Sequence, residues 1–148
     1  MSAKLHLCKP DALTRLDPMV AAFHADMCIE STPESRRAGL LPLLEGSPYG
    51  AVYFVGPQAA PVGYLAVTFS WSIEFGGMDA MLDELWIRPA VRGRGLATEA
   101  LTALIAALTP TGVRAISLEA EAGSPAAALY RRLSFESRDR YVLMSRAL

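Results

Sequence analysis

Apolar positions change their period along this chain, and each change marks an element. Between Pro18 and Met27, residues Met19, Val20, Phe23 and Met27 recur on one helical face, which predicts a first helix behind a weakly alternating strand at Leu5-His6-Leu7-Cys8. Thr32-Pro33-Glu34 brings a capping hydroxyl, a proline at the first helical position and an acidic side chain near the positive end of the dipole, so a second helix is expected from there to about Leu44. The pattern then turns to β. Ala51–Val55 and Val62–Ile73 are rich in β-branched and aromatic residues and flank the breaker Gly56-Pro57-Gln58-Ala59-Ala60-Pro61, which predicts a hairpin. Gly76-Gly77 predicts the next turn, and the strand after it runs through Leu82-Asp83-Glu84-Leu85-Trp86-Ile87 until Pro89 biases Arg88 to an extended conformation.

A helical period returns at Leu96, Ala97, Ala100, Leu101, Leu104, Ile105 and Leu108 and is stopped by Thr109-Pro110-Thr111-Gly112. Ile116, Leu118 and Ala120 alternate with Ser117, Glu119 and Glu121 as a further strand, and Ser124-Pro125 caps a short helix to Leu133. Phe135 and the run Tyr141-Val142-Leu143-Met144 read as closing strands. The predicted order is β-α-α-β-β-β-α-β-α-β-β.

Composition narrows the function classes. The 148 residues suit one domain, 1–148, with no repeat or low-complexity linker to divide it. A formal net charge of -1 and a pI of about 6.1 give no basic footprint for nucleic acid. Hydrophobic content is 52%, yet the apolar runs are short and broken by charges, Gly or Pro, so no membrane partner is expected. Met1-Ser2-Ala3-Lys4-Leu5-His6 does not read as a signal peptide, and Cys8 and Cys28 have neither zinc nor redox spacing; the expectation is a cytoplasmic protein with reduced thiols and no metal. His6 and His24 are isolated, and neither is assigned chemistry.

Candidate chemistry concentrates at Arg92-Gly93-Arg94-Gly95-Leu96-Ala97, between a strand and a helix. Glycines there let a backbone approach a ligand closely, and the following helix offers unpaired N–H groups and the positive end of its dipole, so the segment reads as a pyrophosphate cradle. A dinucleotide fingerprint would need a third glycine where Thr98 stands. The segment instead resembles the R/Q-x-x-G-x-G/A signature of the GNAT superfamily of N-acetyltransferases, with Arg92 first, Gly95 in the middle and Ala97 last. A second segment, Gly123 to Phe135, resembles that family's N-x-x-A-x-x-L-Y-x-x-x-G-F through Ala126, Leu129, Tyr130 and Phe135, with Gly123 in place of the usual asparagine and Ser134 in place of the usual glycine.

The resemblance implies an α/β GNAT fold: a central mixed, mostly antiparallel sheet of six to seven strands flanked by about four helices, with strands four and five splayed apart. Acetyl-CoA would enter that wedge as cosubstrate, its pantetheine arm on backbone groups of Leu85, Trp86 and Ile87 and its pyrophosphate on Arg92, Gly93, Arg94, Gly95, Leu96, Ala97 and Thr98. Tyr130 takes the place of the family tyrosine that faces the coenzyme sulfur, and its phenolic O–H suits protonation of the departing thiolate. An alkyl ammonium must lose its proton before it attacks a thioester, so a carboxylate base is expected. Asp83 matches in spacing the strand-four glutamate of spermidine/spermine acetyltransferases, whose L-E-D-F-F-V resembles Leu82 to Ile87; Glu119 matches the glutamate in the L-E-V of ribosomal-protein N-terminal acetyltransferases. Glu84 points to the opposite face if the strand is regular, and a bulge would change that parity.

Trp71, Glu74 and Phe75 fall beside the turn where family members shape the acceptor pocket or a dimer contact, so a homodimer is one expectation and ordinary hairpin residues the other. The implied reaction is transfer of acetyl to a primary amine by direct attack, with a small cationic amine as acceptor; the alternatives are a peptide or protein N-terminus, or a noncatalytic acyl-CoA-binding module.

Overall fold

The computed structural model describes residues 3–148. Five strands, β1 (Leu5–Leu7), β2 (Gly50–Val55), β3 (Gly63–Ser72), β4 (Gly77–Ile87) and β5 (Val113–Leu118), form one sheet in the order of the chain. β1 to β4 are antiparallel neighbours, and β5 lies parallel to β4. A parallel neighbour cannot be reached by a tight turn, and α3 (Leu96–Leu108) makes the crossover.

Helices cover both faces of the sheet. Leu16, Met19 and Val20 of α1 (Leu13–Asp26) and Leu40 and Leu44 of α2 (Pro33–Leu44) share a core with Val52, Phe54, Tyr64 and Trp86. On the other face Leu96, Leu101 and Leu104 of α3 share one with Leu65, Val67 and Leu82, and Leu129 and Tyr130 of α4 (Pro125–Arg132) pack against its border. Each fully buried side chain of this size contributes roughly 1.5–3 kcal/mol.

Local chemistry sets the helix ends. Thr32 Oγ1 accepts the Ser35 N–H at 3.1 Å while Ser35 Oγ accepts the Thr32 N–H at 2.8 Å, so two donors that a helix start leaves orphaned are satisfied reciprocally ahead of Pro33. α1 begins at Leu13 rather than at Pro18, because Leu16 is fully buried on the same face as Val20 and a short 3-10 turn, Pro10–Ala12, leads into the helix; Pro18 lies inside it.

Among the described residues the sheet has five strands where six to seven are expected from the sequence. Neither Phe135 nor Tyr141–Met144 forms a strand. Phe135 is bound into the end of α4, and Arg138 directs the following chain past the β3–β4 turn by pairing with Glu74 and stacking over the Phe75 ring at 5.6 Å. Tyr141 to Met144 stay exposed and pair with neither edge strand, β1 nor β5, and β propensity alone does not make a strand.

The β3–β4 ladder is irregular at a single place. Leu82 pairs with Val67 and Glu84 with Ala66, so Asp83 is an extra residue opposite an otherwise continuous β3. Upstream, Ala80 and Leu82 face the α3 core; downstream, Trp86 faces the α1–α2 core while Ile87 faces α3. The β4–β5 ladder ends at the same point, with Leu82 paired to Leu118, whereas β4 continues beside β3 to Ile87. From Asp83 to Ile87, β4 therefore has a neighbour on one side only, and a wedge opens there.

Candidate active site

At the end of β4 the chain passes through a short 3-10 turn, Pro89–Val91, into the Arg92–Gly95 loop, and Gly95 is the N-cap of α3. Gly93 and Gly95 have φ of 76° and 78°, the left-handed region that costs a side-chain-bearing residue roughly 1–2 kcal/mol. A Cβ at either position would meet nothing within 4 Å, so packing does not demand these glycines. Backbone conformation does, together with the clear approach to the α3 N-terminus that two missing side chains leave. No side chain caps that terminus, and the N–H groups of Leu96, Ala97 and Thr98 have no intrahelical acceptor. These three N–H groups could hold a phosphate anion.

The two arginines differ in what they do. Arg92 folds back, its Nε donating to the Ile87 carbonyl at 2.7 Å and its Nη2 to Asp26 Oδ2 at 3.1 Å. The same Asp26 oxygen accepts the Trp86 indole N–H at 3.3 Å, so the last turn of α1 braces both β4 and the loop. Arg94 is exposed and makes no ion pair among the described residues, leaving its guanidinium free to meet an anion. Of the expected pantetheine contacts, the Ile87 carbonyl is taken by Arg92, the Trp86 carbonyl is turned to Gly63 of β3 and so away from the open edge, and Leu85 lies on the stretch of β4 that β5 has left.

The bulge decides where the carboxylates point. Asp83 and Glu84, consecutive in sequence, both line a cavity of about 260 Å³ between β4, the C-terminal half of α1 and α2, with His24, Ser31 and Arg36 on its walls. Glu84 Oε2 lies 2.6 Å from His24 Nε2, and Glu84 Oε1 accepts the Tyr64 hydroxyl at 2.9 Å. Beyond the ring, His24 Nδ1 is 2.9 Å from Ser31 Oγ, which accepts from Arg36 Nη1 at 3.2 Å; Arg36 is itself clamped on Asp17. A consistent assignment runs from cation to carboxylate: Arg36 donates to Ser31, the Ser31 hydroxyl to Nδ1, and Nε2–H to Glu84. Burial first, then the Glu84 charge, holds the Tyr64 phenol far above its ordinary pKa, so it remains a donor. Glu84 is thereby fixed from both oxygens. Asp83 is exposed and has no hydrogen-bond partner among the described residues.

Tyr130 is set by the end of α4. Ser124 Oγ accepts the Ala127 N–H at 3.1 Å to start the helix; at its end Phe135 N–H reaches the Tyr130 carbonyl and Ser134 N–H the Arg131 carbonyl, both at 3.0 Å. These are the paired bonds of a Schellman motif, and its apolar contact is between the Tyr130 and Phe135 rings, 6.0 Å apart and edge-on. Ser134 adopts φ 67°, a glycine conformation at the position where the family motif has glycine. Ser134→Gly should raise stability by about 1 kcal/mol, read as a higher urea midpoint at unchanged m; no shift would mean that the left-handed strain is absent. Burial pushes the Tyr130 phenol above its ordinary pKa, and its hydroxyl has no partner among the described residues.

Other candidates stand apart. Glu119 lies past the end of β5, exposed, and does not line the acidic cavity. Trp71 and Phe75 are exposed at the β3–β4 tip, where Trp71 pairs with Met78, five ladder steps or about 17 Å from the Ala66–Glu84 pair. Burial pushes the Cys8 thiol up to about 12, so it stays protonated. No helix among the described residues is long and apolar enough to cross a membrane. His24 and Tyr64 are functional candidates that the sequence reading passes over. The available signal for His24 is a polar residue one turn after Val20 on the apolar face of α1, a position that needs a buried partner.

A family model described as acetyltransferase (GNAT) family matches residues 20–135. Among curated proteins none matches the chain. Several solved structures share the fold. An integron cassette protein from the mobile metagenome of Cole Harbour Salt Marsh is 24% identical, with a TM-score of 0.83 over 97% of this chain and 90% of that one. An aminoglycoside acetyltransferase from an uncultured soil metagenomic sample, HMB0005, is 24% identical, with a TM-score of 0.73 over 100% and 99%. Another from such a sample, meta-AAC0020 in complex with sisomicin, is 18% identical, with a TM-score of 0.77 over 98% and 95%. With the family model covering most of its length, including the β4 wedge, the cradle and the Tyr130 helix, the chain belongs to the acetyltransferase (GNAT) family.

Proposed function

We propose that this protein transfers an acetyl group from acetyl-CoA to the primary amine of a small cationic acceptor by direct attack on the thioester. The observation that carries the reading is the bulge at Asp83, which turns two consecutive carboxylates into one cavity beside the open edge of β4. Acetyl-CoA supplies the activated acyl group. The chain's own residues divide the remaining work. Gly93 to Thr98 hold the pyrophosphate through backbone N–H groups, with Arg94 adding charge, and the open edge at Leu85 lines the pantetheine path.

Glu84, fixed by His24 and Tyr64, supplies negative potential that draws an ammonium group in. Asp83, with both oxygens free, takes the ammonium proton directly or through a water, since the shorter Asp leaves room for one. As the N–C bond forms and the C–S bond breaks, Tyr130 delivers its proton to sulfur. The soil aminoglycoside acetyltransferases of the same fold support a polycationic acceptor as one class to test.

Asp83→Asn removes the base and keeps the side chain's size. Its acetylation rate near pH 7 should fall by about 10²-fold and then climb about tenfold per pH unit toward the amine pKa near 10.4, as solvent does what the carboxylate did. A variant profile parallel to the parent's rejects Asp83 as the base. The acceptor is tested by free-thiol release over polyamines, aminoglycosides, arylalkylamines, amino acids and peptides with a free N-terminus. Reaction with only neutral or carboxylate-bearing acceptors rejects the cationic-amine reading.

A further inference from the structure

A second cavity, of about 690 Å³, shares no residue with the acidic one. It lies between the first half of α1 (Arg15 to Met19), the β2–β3 connection (Pro57 to Val62) and the end of β4 (Trp86 and Arg88). Its size suits a drug-sized molecule. Met19, Val62 and Trp86 are buried and apolar, and Pro18, Pro57 and Pro61 add flat, rigid faces to the walls. Among the described residues no Asp or Glu lines it.

Among the described residues that line it, the charged groups are two guanidinium groups. Arg15 donates from Nη2 to the Gln58 carbonyl at 3.0 Å and lies over the Phe54 ring at 4.8 Å, and Arg88 Nη2 is 3.5 Å from the Pro61 carbonyl. Both are therefore steered by carbonyls of the same connection, and neither forms an ion pair among the described residues; Asp11, one turn before Arg15, is outside ion-pair distance. The Arg15 fork, held by the Gln58 carbonyl and the Phe54 ring without being neutralised, presents its remaining N–H donors to a carboxylate at little entropic cost, and Arg88 adds a second positive charge. The sign is opposite to that of the Asp83–Glu84 cavity, so an ammonium acceptor is disfavoured here.

The geometry points to this cavity as a binding site for an arylalkanoic acid, its aromatic body on Trp86 and the proline faces and its carboxylate on Arg15 and Arg88. This site does not depend on the acetyl-transfer reading. The test uses ¹⁵N-labelled full-length protein titrated with 1-naphthaleneacetate, following the Trp86 indole N–H by NMR, with 1-naphthaleneacetamide as the uncharged twin. The acetate should shift Trp86 and not the exposed Trp71, bind with a Kd below ~1 mM, and bind about tenfold more tightly than the amide.

In Arg15→Gln/Arg88→Gln protein the acetate should weaken to the affinity of the amide, while the amide itself binds as before. If loss of the Arg15–Phe54 stack disturbs the walls, amide binding falls too, and Arg88→Gln alone decides, because that exposed side chain bonds only the Pro61 carbonyl. Saturating acetyl-CoA should leave the acetate affinity within about threefold. Equal affinity for acetate and amide, shifts that miss Trp86, a preference that survives the arginine variants, or complete displacement by acetyl-CoA would each overturn the proposal.

Discussion

Gly95→Val protein should fold and bind acetyl-CoA on the order of 10²-fold more weakly than the parent, a loss of about 2.7 kcal/mol. Part of the loss is conformational. At φ 78° a β-branched residue is strained, and relaxing toward negative φ would turn the first N–H groups of α3 away from the loop. The rest is steric, since the space where the valine methyls would stand is open in the protein and is the approach a phosphate needs. Arg94→Ala removes one mobile cation and no backbone donor, so it should cost only about 3- to 10-fold. Calorimetry on protein shown to be folded by circular dichroism reads both, and unchanged affinity in Gly95→Val protein rejects the cradle.

Tyr130→Phe is expected to lower turnover by about 10²-fold while coenzyme affinity moves less than about twofold. The ring stays, and with it the edge-on contact with Phe135 that closes α4, so folding should be untouched. Only the hydroxyl is lost. Burial holds its proton above the ordinary phenol range, and no protein group accepts it among the described residues, so the group is kept protonated and uncommitted. Equal turnover in the two proteins would reduce Tyr130 to a packing residue. A fall in both turnover and coenzyme affinity would assign the hydroxyl to binding instead.

What the sequence made legible was local. The capped start of α2 at Thr32, the glycine loop before α3 and the Ser124 start of α4 are written in side chains within a few residues of the bonds they make, and each stands where the spacing predicts. The acidic cavity was less legible, because Glu84 meets His24 across sixty residues and Tyr64 across twenty. Arg92 was legible as part of the loop, but its turn back onto Asp26 depends on where α1 ends in space. Tyr141 to Met144 show the converse failure: an apolar run that reads as a strand but pairs with neither edge of the sheet, a long-range outcome that no local pattern records.

Alternation along a strand is a matter of counting, so the face that Glu84 and Trp86 occupy follows from how many residues precede them as much as from what they are. A bulge changes the count by one without altering any paired residue upstream. In genetic terms that is one inserted codon, a single event that leaves the earlier ladder of β4 intact while presenting carboxylates from adjacent positions, 83 and 84, to the same space. Building the same pair on an unbulged strand takes residues two apart, and each of those positions already contributes to a core or to the sheet's pairing. An acidic recess of this kind can thus be gained or lost by a change of one codon in β4.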